Sequence, residues 1–216
     1  MHHKIIQLLR DNSRFILLLT LMFVFRSSIA DWNSVPTGSM KPTIVEGDRI
    51  WVNKMAYDLR VPFTHISLLH LADPQRGDIV VFDSKVSDMR LVKRVIGVPG
   101  DTIQLNNNIL TINGKQLSYQ PLSANSASID RLENLLGIKH SIRIHPAGSS
   151  LSSFKPVTIP KNYYLMMGDN RDNSADSRVI GLVPREEVVG RSRYVVMSLD
   201  YNHYYLPRKN RFFQRL

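Results

Sequence analysis

The chain contains no cysteine, which excludes a thiolate nucleophile, a disulfide framework and any thiolate-ligated metal site. An exported location would therefore have to be tolerated without covalent staples. Acidic residues are scarce beside basic ones: 18 Asp and Glu against 28 Lys and Arg give a formal net charge of +10. Such a balance favours anionic surfaces, acidic lipid headgroups among them. The basic residues are spread along the chain, and no zinc-finger, helix-turn-helix or RNA-binding aromatic motif accompanies them, so nucleic acid is not an expected partner. No HExxH stretch and no His, Asp and Glu cluster at ligand spacing appears, so neither a metal nor a cofactor is expected. Long apolar runs are also missing. The longest, FILLLTLMFVF at residues 15–25, is about 16 Å long as a helix, short of the roughly 20 residues of a comfortable membrane span.

What is present begins with that run. Lys4, Arg10 and Arg14 precede it against Asp11, an excess that keeps this end cytoplasmic by the positive-inside tendency. A helix extended through residues 27–32, with Arg26 snorkelling and Trp32 at the interface, gives a thin or tilted anchor over residues 15–32 after a cytoplasmic tail at 1–14. The same segment also reads as a cleavable leader, with small residues at Ser28 and Ala30.

From Ile44 on, short β-like runs alternate with turn signals. Ile44-Val45, a Glu46-Gly47-Asp48 turn and residues 49–52 read as strand, turn and strand, and residues 62–73 as an irregular connector. Ile79-Val80-Val81-Phe82 is apolar on both faces, hence central in a sheet. Residues 89–98 give another strand. Asn106-Asn107-Asn108 and Asn113-Gly114 mark hairpins, because these residues accept positive φ. Residues 118–153 are polar, serine-rich and poorly periodic, an inserted subdomain or long loop. Residues 157–160 and 163–167 resume the strand pattern, and 188–199 reads as a last strand pair. No run beyond Trp32 shows convincing helical periodicity, so the fold is expected to be mainly β. The domain division is 33–104 and 158–216 as one β domain, with 105–157 inserted. The tail, residues 201–216, interleaves aromatic and basic side chains that suit either a bilayer interface or a return onto the sheet.

Four stretches carry chemistry. Pro36-Thr37-Gly38-Ser39-Met40-Lys41-Pro42-Thr43 places a serine in a stiff, extended backbone, because Pro42 keeps Lys41 out of the helical region and Gly38 permits close approach. Such a serine is either a nucleophile or an ordinary turn residue. Leu91-Val92-Lys93-Arg94-Val95-Ile96 buries a lysine in an apolar run, where desolvation lowers an amine's pKa. Strand alternation lets one of Lys93 and Arg94, but not both, face solvent. Gly168-Asp169-Asn170-Arg171-Asp172-Asn173-Ser174-Ala175-Asp176-Ser177-Arg178 packs small polar residues into one loop, and Gly77-Asp78 leads into the 79–82 strand. Taken in chain order, the four boxes resemble those of the bacterial type I signal peptidases, over roughly residues 26–206 and most weakly over 105–157.

The resemblance implies an antiparallel β catalytic domain with an inserted β subdomain behind one N-terminal anchor. It implies a serine endopeptidase that uses a Ser/Lys dyad, with Ser39 as nucleophile and Lys93 as base. A carboxylate touching Lys93 would spoil the base, so the orienting partner is a hydroxyl, Ser174 by resemblance. The oxyanion donors would be Ser39 N–H and the hydroxyl of Thr37, where the family more often has serine. Asp176 and Arg178 would form a structural ion pair, and Asp169 and Asn170 would shape the loop. Substrate would add as a strand between the segment leading into Ser39 and the Lys93 strand. Val35, Pro36, Met40, Leu91 and Val92 would form shallow pockets for an Ala-x-Ala site. The partners implied are exported preproteins and the lipid bilayer. The location implied is the bacterial inner membrane, single-pass, with the catalytic domain on the periplasmic side. A pilin-maturing relative of the same family and a non-catalytic membrane-anchored β binding module are the alternatives. A Ser/His/Asp triad finds no support, since His65, His70, His140, His145 and His203 all lie outside the boxes.

Overall fold

The computed structural model describes residue 7 and residues 10–64, 66–201 and 203–216. His2, His3, His65 and most of the expected cytoplasmic tail lie outside the described residues. Helix α1 is Ser13–Ser28, and the strands that follow are β1 (Ala30–Ser34), β2 (Asp48–Asn53), β3 (Asp58–Arg60), β4 (Ser67–His70), β5 (Ile79–Ser84) and β6 (Met89–Gly97). Then come β7 (Thr102–Asn106), β8 (Ile109–Ile112), β9 (Lys115–Gln116), β10 (Ser118–Ala124), β11 (Ile129–Leu135), β12 (Ile138–Ile144), β13 (Phe154–Thr158) and β14 (Tyr163–Met167). The one-turn helix α2 (Ser177–Ile180) precedes β15 (Val183–Pro184), β16 (Val188–Asp200), β17 (Leu206–Pro207) and β18 (Gln214–Arg215). The fold is mainly β, and its strand pairs are antiparallel.

The principal sheet runs β1-β2-β16-β5-β6-β14-β15, with β17 and β18 added on β16. The strand β5 lies inside it between β16 and β6, as its two-faced apolar pattern requires. Ile79 and Val81 pack with Val35, Met40, Ile44 and Ile50, while Val80 and Phe82 pack on the other face with Tyr57, Val95 and Met166. Both faces of the strand next to Lys93 are therefore covered, and the lysine strand is held in a fixed frame. A four-stranded sheet, β13-β7-β8-β9, stacks Ile103, Leu105, Leu110 and Ile112 against Ile96 and Met167. The contact is close at Gly97, where a Cβ would collide with the methyl ends of Ile103 and Ile159.

Several local expectations change. Ala30, Asp31 and Trp32 do not extend the helix: they form β1, which pairs residue for residue with β2, Trp32 opposite Trp51. Asp31 ion-pairs Arg26 at 2.9 Å and so ties the helix end to the sheet. α1 is thus 16 residues, about 24 Å long, and no helix among the described residues is long and apolar enough to cross a membrane. Ile44-Val45 is a turn, not a strand, because Ile44 N–H donates to Met40 O and the Asp48 carboxylate captures Val45 N–H. The 62–73 connector contains β4, which pairs with β3 around Asp58, itself held by Arg60, Ser67 and Arg185. Residues 118–144 form a three-stranded sheet, β10-β11-β12. Its period is hard to read because its inward positions mix Leu135, Ile142 and Ile144 with Glu133 and His140. The expected strand pair at 188–199 is one 13-residue strand that shifts register by bulges instead of turning.

Tyr57 is a measure of how this frame is tied together. The ring is buried and its hydroxyl donates to Asp78 Oδ2 at 2.8 Å. Tyr57→Phe is expected to cost about 1.5 kcal/mol by orphaning that hydrogen bond, seen as a lower urea midpoint at unchanged slope. An unchanged midpoint would contradict it.

Candidate active site

Ser39 sits on a tight turn that closes over the sheet, with Lys41 N–H donating to Gly38 O and Ile44 N–H to Met40 O. Met40 and Ile44 are buried beneath it, which fixes the turn from below. Lys93, from the middle of β6, reaches up so that Nζ lies 2.9 Å from Ser39 Oγ and 3.0 Å from Val92 O. The lysine is 3% exposed. Burial lowers its pKa to about 8, opposed by the charges of Asp176 and Asp169 and assisted by Arg178. Lys93 and Arg94 project to opposite faces of β6, yet both are buried, since each face has its own cover. Alternation allowed one of them to face water, and neither does.

Arg94 gains its place by a bidentate pair with Asp169, at 2.8 and 2.7 Å. Asp169 Oδ2 also accepts from Thr43 Oγ1 at 2.5 Å. Burial pushes the Asp169 carboxyl up, but Arg94 outweighs it and holds the group below the usual carboxylate range. Asn170 clasps the Ser39 turn directly: its N–H donates to Ser39 O and its Nδ2 to Gly38 O, each at 3.0 Å. Gly168 is required by this closeness, because a Cβ there would overlap Ser39 O and Ser174 Oγ. Asp176 accepts from Gly168 N–H and forms a bidentate pair with Arg178 at 2.8 and 2.7 Å. Its burial penalty is likewise outweighed by Arg178, and the carboxyl stays low. Ser174 is buried beside Gly168, but among the described residues its Oγ makes no well-aligned hydrogen bond, to Lys93 or to any other group. Among the described residues the sequence-predicted serine and lysine meet, and Ser174 stands next to them without touching the amine.

A cleft of about 420 Å³ opens from this pair. Its walls include Val35, Pro36, Thr37, Ser39, Met40, Leu91, Val92 and Lys93, so the residues expected to form substrate pockets share one cavity with the serine and lysine. The edge of β6 facing it is open over residues 89–93, since β14 pairs only with its Arg94–Gly97 end. An extended peptide can add there. None of the described histidines lines the cleft: His70 faces Asp58 and Asp73, His203 faces Asp200, and His140 is buried against Glu133.

Sequence reasoning missed the buried charge network behind the turn. Glu133 and Arg171, both fully buried, pair at 2.6 and 2.8 Å. Arg94 and Arg171 stood within their boxes without a partner assigned to either. The available signal was a run of charges inside boxes that were otherwise small or apolar, because a charge in such a place needs a partner.

A family model described as signal peptidase, peptidase S26, matches residues 8–197. A signal peptidase I of Pseudomonas aeruginosa is 36% identical over 208 residues, spanning 88% of this chain and 73% of the relative. A signal peptidase I T of Bacillus subtilis is 35% identical over 168 residues, spanning 77% and 73%. A solved signal peptidase I from Enterococcus faecalis is 28% identical and aligns with 56% of this chain and 97% of its own, at a TM-score of 0.37. With the family pattern matched from residue 8 to residue 197, the chain belongs to the signal peptidase family, peptidase S26.

Proposed function

We propose that this protein is a serine endopeptidase that removes N-terminal signal peptides from exported preproteins by a Ser39/Lys93 dyad. The observation that carries the reading is the 2.9 Å approach of a buried lysine amine to Ser39 Oγ. A neutral amine is the form burial favours, and it can accept the hydroxyl proton as Oγ attacks the peptide carbonyl. The developing oxyanion is met by Ser39 N–H and the Thr37 hydroxyl, neither of which makes a hydrogen bond among the described residues. Lys93 then gives its proton to the leaving amine, and the mature chain departs. A water that loses its proton to Lys93 attacks the acyl-serine, and the signal peptide is released as its carboxylate. Ser174, buried next to Gly168, is the hydroxyl assigned to orient the lysine.

The pockets formed by Val35, Pro36, Met40, Leu91 and Val92 are shallow and apolar, and suit small residues one and three positions before the cut. Helix α1 exposes Phe15, Leu17, Leu18, Leu21 and Phe23. We place this apolar surface in the bacterial inner membrane, with the catalytic domain on its periplasmic side. The test is cleavage of a full-length precursor carrying alanine at both positions, against the same precursor with leucine or phenylalanine at the position before the cut. Cutting of the first and about 100-fold slower cutting of the second is expected from steric exclusion at one subsite. Equal rates would defeat the pocket assignment, and no cutting of either would defeat the function.

A further inference from the structure

Behind the nucleophile turn, the 118–144 sheet meets the 168–178 loop through a buried cluster of charge. Its members come from four elements: Arg94 on β6, Glu133 on β11, His140 on β12, and Asp169 and Arg171 on the loop. Glu133, Asp169 and Arg171 are all 0% exposed, Arg94 4% and His140 8%. The four formal charges cancel in two bidentate pairs, Glu133 with Arg171 and Asp169 with Arg94. His140 is the fifth member and lies between the pairs. Its Nε2 is 3.2 Å from Glu133 Oε1 and 3.9 Å from Asp169 Oδ1, within ion-pair range of both carboxylates but with no well-aligned hydrogen bond to either among the described residues.

From Asp169 the chain of contacts runs straight to the nucleophile. Thr43 Oγ1 donates to Asp169 Oδ2 from the turn, and the next residue, Asn170, donates to Ser39 O and Gly38 O. The backbone is locked in parallel, since Arg143 N–H donates to Asp169 O and Arg171 N–H to Arg143 O. His140 also borders a cavity of about 350 Å³ with Pro42, Thr43, Gly77 and Arg94. The turn is therefore not backed by solid packing at this point, and polar contacts must hold it.

We infer that His140 is a positioning residue for the reaction: its buried imidazole, wedged with the Nε2 edge toward the two clamped carboxylates, keeps them in register, and through Asp169, Thr43 and Asn170 fixes Ser39 against Lys93. The inference rests on the peptidase reading for its kinetic consequence, but the coupling itself is a property of the fold. Loosening the cluster displaces Ser39 from Lys93 while the Leu91 and Val92 wall of the cleft on β6 stays in place, so the loss falls mainly on kcat.

The discriminating variants are His140→Gln, which returns an N–H donor near the Nε2 position, His140→Asn, whose amide stops at the Nδ1 position, and His140→Leu. Precursor cleavage by the full chain is measured beside hydrogen exchange of the Asn170 amide, which reads the bond to Ser39 O without any substrate. His140→Asn and His140→Leu are expected to lose about 10- to 100-fold in kcat, the scale of a small displacement of a reacting group, at nearly unchanged KM. Their Asn170 amide should exchange faster, and His140→Gln should stay near wild type on both readouts. If His140→Leu does not fold, the Gln and Asn pair carries the comparison. Equal behaviour of Gln and Asn, a loss confined to KM, or unaltered Asn170 exchange would overturn the inference. If wild type leaves the precursor intact, the peptidase reading fails, and exchange alone then decides the coupling.

Discussion

Ser39→Ala, Lys93→Met and Lys93→Arg are each expected to reduce precursor cleavage on the order of 10⁴-fold, because members of a catalytic unit fail together when any one is removed. The three variants fail for different reasons. Ser39→Ala lacks the atom that forms the acyl bond. Lys93→Met keeps the length and apolar stem of the side chain, so it retains packing but has no nitrogen. Lys93→Arg keeps a donor near Ser39, yet a guanidinium stays protonated at any working pH and cannot accept the hydroxyl proton. A double variant should be no worse than either single one. Rates of variants and wild type are compared on one purified precursor, with circular dichroism confirming the fold. Substantial activity in Lys93→Arg would show that the amine only anchors Ser39, and the search for a base would then return to water and to the acids beyond the cleft.

The serine and lysine were legible through the boxes that hold them. Taken alone, the serine could have been a turn residue and the lysine a solvent-facing strand residue; the order of the boxes, through their resemblance to a family, singled the two out, and the structure adds their 2.9 Å approach. The central place of β5 was legible from its own residues: four consecutive apolar residues demand cover on both faces, and β16 and β6 supply the edges. The 106–108 and 113–114 turns were legible from positive-φ chemistry, and Asn107, Asn108, Asn113 and Gly114 do have positive φ. Sequence could not show what depends on distant partners. β4 exists because β3 and Asp58 lie opposite it, not because Ser67–His70 has a strand pattern of its own. The helix-to-strand change after Ser28 is fixed by the pairing of Trp32 with Trp51 and by Asp31 meeting Arg26, neither of which has a local signal.

The candidate site divides in the same way. Ser39, Lys93 and the walls of the cleft come from short stretches in or beside the boxes. Glu133, His140 and Arg171 matter only as a set, and their contacts span 38 positions between Glu133 and Arg171 and 75 between Arg94 and Asp169. Residues 118–153 therefore left an inserted subdomain and a long loop both open, although the inward polar residues of the 118–144 sheet are the ones that back the Ser39 turn. Periodicity reads apolar faces, and a sheet whose buried face carries a glutamate and a histidine hides from it.

The second large effect concerns stability, and it has the opposite sign to the loss of activity. Burial shifts the Lys93 amine from the usual 10.5 to about 8 in the folded protein. Below pH 8 the amine is protonated in both states, and the native state bears the full cost of a buried cation. Between pH 8 and 10.5 the unfolded chain binds more protons than the folded one, so stability rises with pH across that window and is flat on either side. The depressed pKa corresponds to about 3 kcal/mol at pH 7. Lys93→Met removes the cation and keeps the volume, so it is expected to stabilise the fold at pH 7 by about that amount. The advantage over wild type should shrink through the same window and vanish near its upper end. Other groups that titrate at high pH are common to both proteins and cancel in the difference. Urea midpoints of the pair at several pH values from 6 to 11 test this, beside the wild-type pH profile of kcat/KM, which should rise through about pH 8 as the amine loses its proton. If the stability difference is constant with pH, Lys93 titrates normally and its burial is not what makes it a base. If it tracks the rise in activity, the strain that the fold carries at Lys93 and the catalytic competence of Ser39 have one physical origin, the dry pocket that denies the ammonium its water.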